Sequence, residues 1–185
     1  MTLIKARSRG INLADTFAFT GTVSGAGGGI TVAQQFRLAA DEAGSNSTGT
    51  VFTNFEENDT DYQALGSAFT QSSGVFSCSQ TGVYLCTWTV TVYGSSGGDG
   101  FDPNIQISTD SGSNYTMRSR MWGHTDAATG HSTIGTSFMF DVANTSTFRL
   151  RFRQSSDNDI GNGTTIKGNT GQNFTQITFV RLGDT

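Results

Sequence analysis

Residues 74–93 read Gly74-Val-Phe-Ser-Cys78-Ser-Gln-Thr-Gly82-Val-Tyr84-Leu-Cys86-Thr-Trp88-Thr-Val90-Thr-Val92-Tyr93. A short apolar run ends at Cys78, a polar break closes at Gly82, and a longer run then alternates with period two. Tyr84, Cys86, Trp88, Val90 and Val92 fall on one face, and Thr87, Thr89 and Thr91 on the other. Successive side chains of a strand point to opposite sides, so the pattern predicts a half-buried antiparallel strand, not a helix. The spacing predicts a hairpin with its turn at Ser79 to Gly82. In that register Cys78 pairs near Val83 and not with Cys86, which predicts two buried free thiols rather than a disulfide.

Working outward, the same kind of run recurs. Strands are expected over residues 30–38, 51–55, 104–109, 115–122, 132–142, 147–154 and 174–182, with Phe69 and Val75-Phe76 flanking a further turn. Turn signals separate them every 8 to 15 residues or so, as in a sandwich. The chain of 185 residues suits one domain with a real core and leaves room for an arm. With 24 Gly, one Pro and many Ser, Thr and Asn, the composition suits an all-β sandwich or barrel. In residues 147–153, Phe148, Leu150 and Phe152 alternate with Arg149, Arg151 and Arg153. The cationic face is read either as solvated or paired with acids across the sheet, or as a subunit interface.

Residues 1–29 differ from the rest and are read as an extended arm with a Gly-rich linker, ahead of a domain over 30–185. Lys5, Arg7 and Arg9 make a basic start. Ile11, Leu13, Phe17 and Phe19 follow, and Gly25-Ala-Gly-Gly-Gly29 breaks the chain. Such an arm either docks on a partner or completes the domain's own sheet.

Charge and motifs narrow the function. Only 14% of residues are charged and the net charge is −4, which argues against a nucleic-acid partner. No run is long enough for a signal peptide or a membrane span, so no membrane is expected, and the chain is expected to be made in a cytoplasm and left there or packaged from there. The six Asn-x-Ser/Thr sequons are then read as composition, not glycans. His124 and His131, with Asp126, are a thin set for zinc. Asp157-Asn-Asp159 and Asp59-Thr-Asp61 are oxygen-rich turns that backbone chemistry alone explains. No nucleophile elbow or phosphate loop occurs. Neither an enzyme nor a cofactor nor a metal is expected.

Gly74-Val-Phe-Ser-Cys78 followed by Gly82-Val-Tyr84 resembles the signature of the complement globular-head and tumour necrosis factor superfamily, although Thr81 stands where that family usually has Pro. The closing Asn173-Phe-Thr-Gln-Ile-Thr-Phe-Val-Arg-Leu-Gly183 is similar to its last strand. The likeness covers about residues 30–183. It implies an antiparallel jelly-roll sandwich of about ten strands in a compact homotrimer, with Tyr84, Trp88, Phe138, Phe140, Phe174 and Phe179 as candidates for the trimer core. Fourteen Phe exceed what a single sandwich needs on this reading. A second likeness, carried by Phe36-Arg-Leu, Thr53-Asn-Phe-Glu56, Asp59-Thr-Asp-Tyr62 and Ser8-Arg-Gly-Ile-Asn-Leu13, is to bacteriophage virion structural proteins.

Two functions follow as expectations. One is a capsid decoration or cement protein whose arm, through Lys5, Arg7, Arg9, Ile11, Leu13, Phe17 and Phe19, grips a major capsid protein or another virion protein. The alternative is a receptor-binding knob or tail-fibre appendage whose loops, with Tyr115 and Trp122 near their ends, touch a host-surface glycan. Both place the chain in the virion. A polysaccharide depolymerase is the third and least supported reading.

Overall fold

A computed structural model of the chain describes residues 29–43, 49–59, 61–94, 100–125, 129–155 and 164–185. The arm and linker lie outside these residues as far as position 28. Among the described residues no helix is long and apolar enough to cross a membrane. The strands are β1 (Ala33–Leu38), β2 (Glu42–Ala43), β3 (Thr50–Val51), β4 (Phe55–Glu57), β5 (Phe69–Ser72), β6 (Val75–Cys78), β7 (Gly82–Tyr93), β8 (Gly100–Phe101), β9 (Pro103–Ser108), β10 (Thr116–Arg120), β11 (Gly123–His124), β12 (His131–Val142), β13 (Arg149–Gln154), β14 (Thr165–Ile166) and β15 (Gln176–Gly183). Five of the fifteen have only two residues, which leaves the ten longer strands expected of the jelly roll.

Two antiparallel sheets face each other. Sheet I has the order β2-β14-β7-β15-β1-β4, with β12 on the other side of β7. Sheet II has the order β10-β9-β13-β6-β5, with β3 also on β13. β8 and β11 form a small ribbon. The alternation read from residues 82–93 is present: Tyr84, Cys86, Trp88, Val90 and Val92 are all buried in β7.

The hairpin expected over residues 74–93 is corrected. β6 pairs with β5 and β13 in sheet II, whereas β7 pairs with β12, β14 and β15 in sheet I. Residues 79–81 therefore carry the chain from one layer to the other. Both strands bury one face, and a period-two pattern is satisfied equally by a neighbour in the same sheet or by one across the core. The tight hairpin is instead β5–β6, where Ser72 pairs with Val75 across Ser73 and Gly74. Both turn residues have positive φ (49° and 79°), as a two-residue turn matched to the strand twist requires.

The crossing has its own fixings. Gly82 sits at φ 142°, and a Cβ there would lie 2.6 Å from the Gly183 carbonyl oxygen and 2.7 Å from Arg181 Nε. That guanidinium donates to the Thr81 carbonyl through Nε at 3.1 Å and through its Nη2 at 3.0 Å. The Cys78 thiol (3.2 Å) and the Tyr84 hydroxyl (3.0 Å) both donate to the Gln80 carbonyl. Backbone polar groups that turn away from a ladder need such partners.

Between the sheets lies an aromatic core. Phe69 stacks on Phe179 at 4.0 Å and meets Tyr84 edge-on at 5.1 Å. Phe152 packs edge-on against Trp88 at 4.9 Å and Phe76 at 5.4 Å. Each fully buried side chain of this size contributes about 2–3 kcal/mol of transfer free energy. Of the fourteen Phe, ten (36, 52, 55, 69, 76, 101, 140, 148, 152 and 179) are buried in this one sandwich. The idea that their number exceeds a single sandwich's needs is thereby corrected. One polar residue is clamped inside: Gln34 Oε1 accepts from the Ala68 and Phe69 amides at 2.7 Å each, and Gln34 Nε2 donates to the Phe69 carbonyl at 3.2 Å. Satisfied on both sides, it ties β1 of sheet I to β5 of sheet II.

Candidate functional site on the outer faces

With the inward positions filled by the core, the outward positions carry what is left to read. On sheet I they fall into register. Met139 pairs with Leu85, Leu85 with Val180, Val180 with Ala33, and Ala33 bridges to Leu65. Five apolar residues thus lie in one row. At about 4.8 Å between strands the row spans roughly 19 Å. Met139 is 63% exposed and Leu65 51%, while the three between them are half-buried. The next row, Ser137, Thr87, Thr178 and Gln35, is uncharged. Leu182 (52%) and Phe174 (37%) add further exposed apolar surface along β15 and just before it.

Sheet II presents the opposite character. Arg151 pairs with Gln106, Gln106 with Met117, and Arg151 with Val75 on its other side. The row above it runs Arg120, Asn104, Arg153 and Val51. Arg149 pairs with Ser108 below. Five of the eleven Lys and Arg, at positions 118, 120, 149, 151 and 153, sit on β10 and β13.

The aromatic residues at this edge hold guanidinium groups. The Arg151 guanidinium carbon lies 3.8 Å from the Tyr115 ring centroid, and Arg151 Nε donates to Gln106 Oε1 at 2.8 Å. That of Arg120 lies 4.5 Å from the Trp122 ring centroid. Arg120 also grips the buried Asp102 carboxylate with two bonds, one from Nε at 2.6 Å and one from Nη2. Partial burial holds the Arg151 guanidinium below its ordinary pKa; the Tyr115 phenol opposes that, and neighbouring Arg153 adds to it. Arg149 and Arg151 have no carboxylate partner among the described residues.

Tyr115 is aimed by the preceding turn. Asp110 Oδ1 accepts from the Ser108 hydroxyl (2.6 Å) and the Asn114 amide (2.9 Å), and Asp110 Oδ2 accepts from Asn114 Nδ2 (2.7 Å). These bonds favour the carboxylate, led by the Ser108 hydroxyl, and lower its pKa to about 2.

The residues proposed from the sequence divide. Tyr84, Trp88 and Phe179 are fully buried inside the protomer, and Phe140 is buried beside them, stacked on Tyr84 at 5.8 Å. As trimer-core residues these four are corrected: their own sandwich consumes their surface. One sequence cannot tell burial within a protomer from burial between protomers. Phe138 is half-buried against the core at the edge strand, and Phe174 is the exposed member of the set. The signal for the sheet I row was Val83 and Leu85, two aliphatic residues on the hydroxyl-bearing face of β7. Lys5, Arg7, Arg9, Ile11, Leu13, Phe17 and Phe19 lie outside the described residues, as do residues 95–99 and 156–163 of the polar loops.

Chemistry within the chain is sparse. Cys78 and Cys86 are free and buried as expected, although they lie in different sheets and not in one hairpin, and burial raises the pKa of both thiols, so neither is a poised nucleophile. Among the described residues no three His, Cys, Asp or Glu side chains come together as a metal site.

No family model and no curated protein matches the sequence. Solved structures match its shape. Eiger, the tumour necrosis factor of S. frugiperda, superposes with a TM-score of 0.60 at 12% identity, over 84% of this chain and 95% of its own. The fold is that of the tumour necrosis factor jelly roll. Murine APRIL superposes at 0.55 with 11% identity, over 82% of this chain and 98% of its own. The PRD1 vertex protein does so at 0.50 with 15% identity, over 84% of this chain and all of its own (100%). At such identities the jelly roll is what is shared.

Proposed function

We propose that this jelly roll is a trimeric structural protein of a bacteriophage virion that decorates and stabilises the outer capsid shell. The observation that carries the trimer is the row Met139, Leu85, Val180, Ala33 and Leu65 on the outer face of sheet I. A continuous apolar stripe of that length is costly to leave in water and suits a subunit contact. The resemblance of residues 53–62 to virion proteins and the shared fold of a virus vertex protein support the placement. The arm, through Lys5, Arg7, Arg9, Ile11, Leu13, Phe17 and Phe19, is the part that grips the shell, meeting acidic capsid surface with its cations and apolar clefts with its Phe and Leu. No cofactor is needed, and the mechanism is mechanical: buried area across capsomer junctions opposes outward pressure. With no activated nucleophile at either thiol, we read the chain as a binding and structural protein rather than an enzyme.

Light scattering on the eluting recombinant chain tests the trimer: three chain masses are expected, and a monomer sinks it. Deleting residues 1–24 should abolish capsid binding and leave the trimer folded; retained binding counts against the arm. The arrangement of Tyr115 and Trp122 with arginines favours a second reading, an attachment knob on a tail appendage. Copy number separates the two. Hundreds per virion by quantitative mass spectrometry fit decoration, and a few to tens fit an appendage.

A further inference from the structure

The outward face of β10, β9 and β13 does nothing for the core, yet it gathers the largest cluster of cations in an acidic chain. Three features distinguish it from an ordinary solvated face. Arg149 and Arg151 are half-buried and lack a carboxylate partner among the described residues; the fold offers them only the Phe148 carbonyl, the Gln106 side-chain oxygen and the Tyr115 ring. Trp122 is 68% exposed although an indole is normally buried, and Arg120, fixed by Asp102, lies over its ring. Asn104, in register between Arg120 and Arg153, is fully buried with neither amide atom hydrogen-bonded. Guanidiniums without a described carboxylate and a presented aromatic plane on one face match a ligand that carries planar anions on a stackable ring.

We infer that this face binds an acidic polysaccharide, a sugar chain bearing carboxylate or sulfate groups. Arg149 and Arg151, two residues apart on one side of β13, lie about 7 Å from each other. They take the anions in forked hydrogen bonds. Trp122 takes the apolar face of a pyranose ring, and the Asp110 turn holds Tyr115 under Arg151 so that its fork faces outward. A few arginines on a chain of net charge −4 disfavour a nucleic-acid duplex, which needs a broad basic surface. The site deepens the attachment reading by naming the ligand class. It also stands without that reading, since it uses none of the sheet I row.

The test measures binding of the recombinant full chain to immobilised alginate, dextran sulfate, neutral dextran and a single-stranded oligodeoxynucleotide, at low and at high salt. Binding to alginate or dextran sulfate but not to dextran is expected, weakening as salt rises. The two charged arms distinguish carboxylate from sulfate. The double variant R149Q/R151Q should weaken it about 10- to 100-fold, that is by roughly 1.4–2.7 kcal/mol in all. Met117→Glu, at an exposed position in the Arg151 row, adds a repelling carboxylate without touching the core and should weaken binding about tenfold even if the double variant fails to fold. No binding to either acidic chain, unchanged binding in Met117→Glu, or tighter binding to the oligonucleotide overturns the inference. Acidic-chain binding by the isolated protein, with virion adsorption that alginate and dextran sulfate fail to block, keeps the site and removes the attachment knob.

Discussion

The two sheets of this sandwich obey the same inward rule and opposite outward ones. Inside, β7 and β13 both alternate large apolar residues toward the core: Tyr84, Cys86, Trp88 and Val90 on one, Leu150 and Phe152 on the other. Outside, β7 offers Leu85 between Met139 and Val180, whereas β13 offers Arg151 between Gln106 and Val75. The core constrains half of each strand, and the other half is free to specialise. A jelly roll therefore has two broad surfaces that can be tuned separately, here one with an apolar row and one with a cluster of arginines.

The strongest way to break that comparison is to put charge on the apolar row. Leu85→Asp should dissociate the trimer, because each buried, unpaired carboxylate costs about 3–5 kcal/mol and the contact recurs in every copy. Light scattering should report one chain mass, with far-UV circular dichroism unchanged. Val75→Asp on sheet II should leave the trimer whole. If both variants dissociate, or neither does, the division between the faces is wrong.

Next in size is the crossing that joins the layers. Gly82→Ala should cost roughly 3 kcal/mol, through strain at φ 142° and the clash with the Gly183 carbonyl. Thermal melting should show both faces lost together. A melting temperature within a degree of the parent would mean the corner relaxes.

A smaller effect is expected at Tyr115→Leu, which removes the ring beneath Arg151. It should cost about 0.5–1 kcal/mol in a denaturant titration and leave oligomerisation untouched. A loss of several kcal/mol would show that the cationic face supports the fold after all.

Smallest is a pH effect confined to the turn before β10. Asp110 is lowered from its ordinary 3.8 to about 2, chiefly by the Ser108 hydroxyl. Its deprotonation therefore stabilises the turn above about pH 4, and that contribution fades as pH falls toward 2. The Tyr115 ring resonances should shift over that window, and Asp110→Asn should remove the shift. A midpoint at or above pH 4 would show that the Ser108 and Asn114 bonds do not form in solution.

Much of this was legible in the sequence. Period two in residues 82–93 marked β7, and the Phe148, Leu150 and Phe152 alternation marked β13. The two thiols are free as expected, but the hairpin register behind that expectation does not form. The chain's path between strands was not, because a short polar break looks the same whether it turns within a sheet or crosses to the next. Two-residue strands such as β14 and β2 were invisible, since β14 pairs with the end of a long β7 that outreaches β15, β2 pairs with β14 in turn, and no local pattern marks either. The assignment of Tyr84, Trp88, Phe140 and Phe179 to a trimer core failed for a related reason: side-chain size reports that burial occurs, not what does the burying. Arg151 over Tyr115 joins residues 36 apart in sequence, and nothing local announces it.

The place of β15 has a temporal meaning. It is the latest strand in sequence, yet it lies between β7 and β1, in the interior of sheet I. Until residue 180 has been added, Val180 is missing from the row that runs from Met139 to Leu65, and Leu85 and Ala33 have no bridge between them. A growing chain thus cannot display the finished row that the proposed trimer would use. On that proposal subunits meet only after residue 180 has been added, which keeps shorter chains from being trapped together while still on the ribosome.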